Sequence, residues 1–399
     1  MPIKLIDTFE SNTSNTILAK MNIDGIIRIV KYRFNSKDLN KMLSNIKSFN
    51  IDPSVRRLKL RDMGTNNYIN NISMLTGYSI NRYSEWDKDT IILFLDTIRT
   101  VSNIITNTQG LEYEAKMYKL LRKLDINMYS PHFIKTYPDN PETNTSVTVN
   151  KRMIKKYSPE IKKQFGISNT PLEGVVMEYC NKCKLYNEMD YLPENDYKII
   201  LFQALYNLTV MRRLKIQHND LHLNNILIKK LKTPKTTLYC IGNNINRWFC
   251  ITSIYSVKFF DWDLAYSPLI GDNKKVDKTC KSYGVCNILH PLFDQTIFLC
   301  QLLENMKSQP NVTKFIKNTA RLPQELIDTA EFDCRISANK MLKHSDNMTS
   351  STSLMKNVFF DEYKINKNNI TKITIDNVYT LPKVDRQKII KKLILVINS

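Results

Sequence analysis

His218-Asn219-Asp220-Leu221-His222-Leu223-Asn224-Asn225, followed by Ile226-Leu227-Ile228, decides how this chain reads. The spacing is H-x-D-x-x-x-x-N, and an apolar, strand-like run follows at once. Moving a phosphoryl group from a nucleotide to a hydroxyl needs a carboxylate near the acceptor and a ligand for a magnesium ion. An Asp and an Asn five residues apart in one short loop can supply both. Asp220 is therefore expected to orient, and to deprotonate, the acceptor hydroxyl, and Asn225 to bind metal. A polar surface loop that matches by chance is the bland alternative.

Downstream, Ser256-Val257-Lys258-Phe259-Phe260-Asp261-Trp262-Asp263-Leu264-Ala265 reads as a buried strand ending in an acidic turn. Acidic groups at a strand end can reach a magnesium ion held on phosphates. On these two stretches, in this order, the chain resembles the protein-kinase-like superfamily. Asp261 stands where that family carries the metal-binding Asp of its D-F-G motif, written here D-W-D.

The resemblance implies an α+β, two-lobed fold. A small β-rich N-terminal lobe, with the family's αC helix, would span 1–180, with insertions at about 32–105 and 139–172. A larger, mainly helical lobe would span 181–399, with the catalytic loop, an inserted hairpin at about 230–256 and a helical tail.

The walk along the chain fits that order. Ile3–Phe9 and Ile17–Asn22 read as strands joined by a polar loop; after a turn at Asp24-Gly25 comes Ile26–Lys31. This resembles the phosphate-covering loop and lysine strand of kinases, which implies Lys31 as the phosphate-binding lysine, with an ordinary surface-exposed lysine at a strand end as the alternative. The loop holds no glycine, unlike the family's. Leu111, Met117, Leu120, Leu121 and Leu124 recur at helical spacing; the helix resembles the kinase αC helix, which implies that Glu114, or Glu112 in its place, clamps Lys31. Gly174-Val175-Val176-Met177-Glu178-Tyr179-Cys180 matches the hinge strand, where main-chain groups of Glu178 and Cys180 would bond adenine.

An amphipathic helix from Asn195 to Lys215, with Ile199, Phe202, Leu205, Leu208 and Met211 as core, leads into His218. Asp294 would brace the catalytic loop or cap a helix. The Ser/Thr-rich run at 345–353 reads as a disordered loop or as phosphorylation sites.

Composition sets bounds. The chain has 399 residues, 42% of them hydrophobic, enough for two cores. No run is apolar enough to span a bilayer, and Met1–Asp7 lacks a signal peptide's apolar core, so a non-secreted protein is expected. The eight cysteines read as reduced thiols, since Cys180-x-x-Cys183 has no second pair to complete a zinc site. A net charge of +20 suits anionic partners, but it is spread along an Asn-, Ile- and Lys-rich chain and forms no nucleic-acid motif.

The H-N-D-L-H wording, the long spacing to D-W-D and D-W-D itself resemble haspin-like kinases and those of poxviruses and giant DNA viruses. The resemblance implies ATP and Mg²⁺ as cofactors, Ser/Thr of a viral or host protein as acceptor, His218, Asp220 and His222 as catalytic residues, and Asn225 and Asp261 as metal ligands. It implies work in the host cytoplasm or viral factory, or packaging in the virion. Two alternatives stay open. H-x-D-L-H with D-W-D also resembles aminoglycoside and choline phosphotransferases, and the glycine-free loop fits a pseudokinase scaffold.

Overall fold

A computed structural model describes residues 4–10, 17–23, 25–34, 112–137, 172–181, 184–188, 191–276, 280, 285–290, 292–305, 309–327, 347–365 and 374–397. Most of the 32–105 insertion, all but the last residue of the 139–172 insertion, the loop 11–16 and Cys183 lie outside the described residues. The fold is mixed α+β and divides into two compact units. The first comprises Met1–Glu112 and Thr136–Tyr179; the second comprises Tyr113–Lys135 and Cys180–Ser399.

The first unit is an antiparallel sheet. Strands β1 (Lys4–Glu10), β2 (Ile17–Ile23), β3 (Ile26–Phe34), β4 (Thr136–Tyr137) and β5 (Leu172–Glu178) lie in the order β1-β2-β3-β5-β4. Period-two alternation puts Ala19, Met21 and Ile23 on one face. Register then lines Ala19 up with Val30 and Val30 with Val176, three residues with no exposed surface. The sheet sets β3, which carries Lys31, directly beside β5, which ends in Glu178. Gly25, at φ 80°, makes the β2–β3 turn that a side chain would strain.

The second unit is built on helices and a hairpin. Helix α1 covers 112–123, and all but its first residue belongs here, so the sequence expectation of a single boundary at 180 differs from the observed division. Helix α2 (Glu194–Arg213) carries acids in its first turn and arginines in its last, as the helix dipole favours. Lys215, at φ 57°, ends it.

The expected one-sided burial of α2 is exceeded, because Ile199–Met211 are buried all round. The second face is satisfied by polar side chains. Gln203 donates to Tyr255 O (3.0 Å) and accepts from Val257 N (3.0 Å), and Ser130 Oγ donates to Asn207 Oδ1 (2.8 Å).

Strands β6 (Ile226–Cys240) and β7 (Trp248–Phe259) form one long antiparallel hairpin. The hairpin expected as an insertion at 230–256 is thus a continuation of the strands flanking the two motifs, with a register shift between Lys230 and Lys235. Helices α3 (Phe293–Asn305), α4 (Pro310–Thr319), α5 (Ser351–Met355) and α6 (Arg386–Ile397) follow.

The tail is more than the expected helical appendage. Strand β8 (Asn377–Thr380) pairs parallel to β6, and Ile389 and Leu393 of α6 join a core with Leu238, Cys240 and Trp248. The Ser/Thr-rich run is ordered where described: Ser350 caps α5, and Ser351 Oγ lies 2.9 Å from Thr209 Oγ1 of α2.

One cysteine expectation is overturned. Cys280 and Cys286, six positions apart with their Cα atoms 4.5 Å from each other, form a disulfide. No helix among the described residues is long and apolar enough to cross a membrane.

Candidate functional site

The base of the β6–β7 hairpin positions both motifs. Ile226 is in register with Phe259, so Asn225, just before β6, and Asp261, just after β7, leave the same end of the sheet. The Phe260 N–H donates to Asn225 O (3.2 Å), which fixes that proximity.

The loop before Asn225 is held from below. After α2 ends, Gln217 exchanges two main-chain bonds with Tyr266 (2.9 and 2.8 Å). Asp294, in the first turn of α3, accepts the His218 N–H with Oδ2 (2.7 Å) and the Asn219 N–H with Oδ1 (2.8 Å). Of the two expectations for Asp294, bracing is the observed one. Burial pushes its carboxyl upward, and His218 and the two N–H donors pull it back part of the way. Asn219 takes a left-handed φ of 66°, and its amide donates to Leu264 O (3.0 Å). Further along, Gln301 of α3 accepts from Leu223 N (2.9 Å).

Asp220 emerges from this frame. Its carbonyl accepts from Asn225 Nδ2 (2.8 Å) and from His222 N (2.9 Å). Its Oδ2 lies 3.3 Å from Asn225 Nδ2 and 3.6 Å from His222 Nε2. Since the Asn225 amide turns its NH₂ onto Asp220, its oxygen is the end that can meet a cation.

His218 is in a different situation from the other expected catalytic residues. It has no exposed surface, its Nε2–H donates to Phe260 O (2.8 Å), and its ring tilts against Trp262 at 4.6 Å. Burial removes it from any acceptor, so the expectation of a catalytic His218 is corrected to a positioning residue for the acidic turn.

That turn carries its own supports. Asp261 adopts φ 69°, a strained value for a non-glycine residue that only surrounding contacts can maintain. Trp262 is fully buried between Phe133 (5.9 Å) and His218. Asp263 forms an ion pair with Lys275, and Asn273 Nδ2 donates to the carbonyls of Asp263 (2.9 Å) and Ala265 (2.8 Å). Glu114, buried on α1, accepts from Tyr118 Oη (3.0 Å), whose hydroxyl also meets the Asp261 main chain. Burial and Glu114 hold the Tyr118 phenol well above its usual range, so it stays protonated as a donor.

Sequence reasoning missed Tyr118, Asn273 and Gln301. Tyr118 had a signal, its i+4 spacing from Glu114; the other two had none.

In the first unit, Lys31 is buried on β3, in register with Leu18 on one side and Val175 on the other. Lys20 lies over the Tyr179 ring at 4.6 Å and donates to its hydroxyl (3.4 Å). Glu178 ends β5, and Cys180 opens the second unit.

The donor set suits a magnesium ion. Asn225 and Asp261 offer hard oxygen ligands, and such sites take one or two protein oxygens and complete the shell with phosphate oxygens and water. Among the described residues no cluster of three or more His, Cys, Asp or Glu could hold a metal by itself. A cation bound here would depend on its phosphate partner.

No protein-family model matches the chain, and no curated protein matches it significantly. Solved structures do match. One, titled "Crystal structure of Rad53 kinase domain and SCD2", is 13% identical over 63% of this chain and 77% of its own, with a TM-score of 0.31. So loose a superposition transfers no residue's role, which the geometry of the loop has to carry.

Proposed function

We propose that this chain is an ATP- and magnesium-dependent phosphotransferase of the protein-kinase type, acting on serine or threonine hydroxyls of a protein. The observation that carries the reading is the pinned loop: Asp294 grips the main chain at His218 and Asn219, and Asn225 is tied to both Asp220 and Phe260. Positioning and charge neutralisation are most of what phosphoryl transfer asks of a protein.

In this reading Mg-ATP supplies the phosphoryl group and the charge of the cation. Asp220 orients the acceptor hydroxyl and takes up its proton. Asn225 and Asp261 hold the cation, and Glu114 steadies Asp261 through Tyr118. His222 occupies the place, two residues after the catalytic Asp, where protein kinases usually carry a lysine for the moving phosphoryl group. Lys31, Glu178 and Cys180 keep the nucleotide-binding roles that the resemblance assigns them. The narrower assignment, a haspin-like kinase of a large DNA virus working in the host cytoplasm or viral factory, rests on the H-N-D-L-H and D-W-D wording.

His222 also favours a second reading, a small-molecule kinase of the aminoglycoside or choline phosphotransferase type. Transfer of labelled γ-phosphate from Mg-ATP tests both, with the chain itself, casein, histones and hydroxyl metabolites as acceptors and Asp220→Asn as control. Label on protein Ser or Thr that Asp220→Asn abolishes supports the first reading. Label on metabolites alone moves the chain to the second. Silence with folded protein leaves a binding scaffold.

A further inference from the structure

The phosphotransfer reading leaves a cavity of about 160 Å³ in the second unit unused. Its walls are the β6–β7 hairpin, the turn at Pro131-His132 and the edge of β8. Lys229, Lys235 and Lys258 line it together with His132, Ser253 and Tyr239, and no Asp or Glu is among its lining residues. Beside the lining, Asp376 lies 3.4 Å from Lys235 Nζ and accepts from Thr236 N (2.8 Å). The lining residues themselves carry three lysines and no carboxylate.

Depth sets this cavity apart from a patch of surface lysines. Lys258 is 8% exposed, and its Nζ donates to Pro131 O (2.6 Å). His132 is 1% exposed, with Nε2 2.9 Å from Tyr239 Oη and Nδ1 3.2 Å from Val257 O. Burial, and after it the positive charge of Lys258, push the His132 imidazole down to about 3, so the field of that lysine is felt inside the cavity. The Ser256 hydroxyl adds a donor to the wall, while Ser253 Oγ donates to Tyr255 O (3.0 Å).

Size narrows the ligand. Pockets for drug-sized molecules run to roughly 300–1,000 Å³, so a nucleotide is too large for this one. A single tetrahedral oxyanion is not. We propose that this cavity binds a compact oxyanion, inorganic phosphate or the phosphoryl group of a small phosphomonoester, through Lys229, Lys235 and Lys258.

Such a ligand would sit against the supports of the acidic turn. Phe259 N donates to His132 O (2.8 Å), Ile134 N donates to Phe259 O (3.1 Å), and Phe133 stacks on Trp262. Filling the cavity is expected to stiffen the strand that ends in Asp261.

The chain's five histidines give a local readout. Imidazole ¹⁵N spectra of the full chain are recorded while inorganic phosphate, and separately O-phosphoserine, is added at constant ionic strength, with chloride as control. The resonance of His132, identified by its loss in His132→Gln, is expected to shift saturably with phosphate and not with chloride. In Lys229→Gln/Lys235→Gln the dissociation constant should rise at least about fivefold, and in Lys258→Met the shift should vanish. If Lys258→Met fails to fold, the double variant, altered only at the hairpin, carries the test. Stronger binding of phosphate than of phosphoserine identifies the free ion as ligand; the reverse identifies a small phosphomonoester. No saturable shift at His132, equal shifts in wild type and double variant, or shifts confined to His218 and His222 would each overturn the proposal. None of these outcomes depends on catalysis, so failure here and failure of the kinase reading are told apart.

Discussion

Replacing Asp294 by Asn should loosen the 218–225 loop while leaving its own side chains intact. Asp294 accepts two buried main-chain N–H groups, at 2.7 and 2.8 Å. Hydrogen bonds to a charged group contribute about 1.5–3 kcal/mol each. Asn keeps one acceptor oxygen and sets an NH₂ group against the other N–H, so one bond is lost and one buried donor is left unmet. The cost should be roughly 2–3 kcal/mol, reduced somewhat by relief from burying a carboxylate that its surroundings already push toward protonation. The assay is amide hydrogen exchange at His218 and Asn219. If the loss falls on local opening, exchange there should accelerate about 30- to 100-fold, since each 1.4 kcal/mol is a factor of ten. Phosphoryl transfer should fall with little change in KM for ATP, because Asp294 acts through the loop and not on the nucleotide. Unchanged exchange at both amides, in a folded variant, would refute the bracing argument.

Three further outcomes are expected. His132 is depressed from 6.5 to about 3 in the folded chain, so below pH 6.5 the unfolded state takes up a proton that the native state refuses; stability present above 6.5 is lost as pH falls, by about 1.4 kcal/mol per unit at most. Urea unfolding across pH 4–7 should show this acid slope in wild type and a shallower one in His132→Gln, and equal slopes would contradict it. Reducing the Cys280–Cys286 disulfide should cost roughly 2 kcal/mol from loop-closure entropy, measured as a lower urea midpoint with reductant, while Cys280→Ser should be insensitive to reductant. Mg-ATP at a hundredfold excess over Kd should stabilise the chain by about 2.7 kcal/mol in thermal unfolding, and Asp261→Ala or EDTA should remove most of that gain; equal stabilisation with EDTA would disprove cation binding at Asp261.

How far the sequence could be read depended on how local each signal was. The 218–225 loop and the strands around it were legible because their spacing and alternation are contained in a dozen residues. Asp294 was found with bracing and helix capping as equal readings, since a helix-capping Asp and a loop-holding Asp look alike until the two N–H donors are located. The hairpin read as an insertion because the polar run Leu231-Lys232-Thr233-Pro234-Lys235 interrupts the alternation where the pairing shifts register. Strand β8 was invisible: four residues that pair with a strand about 140 positions earlier leave no periodic trace. His218 was read as catalytic from its place in the motif, and only its burial against Phe260 and Trp262 shows it facing inward.

The sheet order β7-β6-β8 has a consequence for any shortened form of this protein. While β8 is in place, β6 is the middle strand and both its flanks are occupied. A chain ending before residue 377 would strip one flank of β6 along Thr237–Cys240, turning it into an edge whose unpaired main-chain groups template association with other chains. It would also remove Ile389 and Leu393 and uncover Leu238 and Trp248 beneath them. A truncation far from Asp220 in sequence would then be lost to aggregation, and its inactivity would say nothing about the chemistry at the other end of the hairpin.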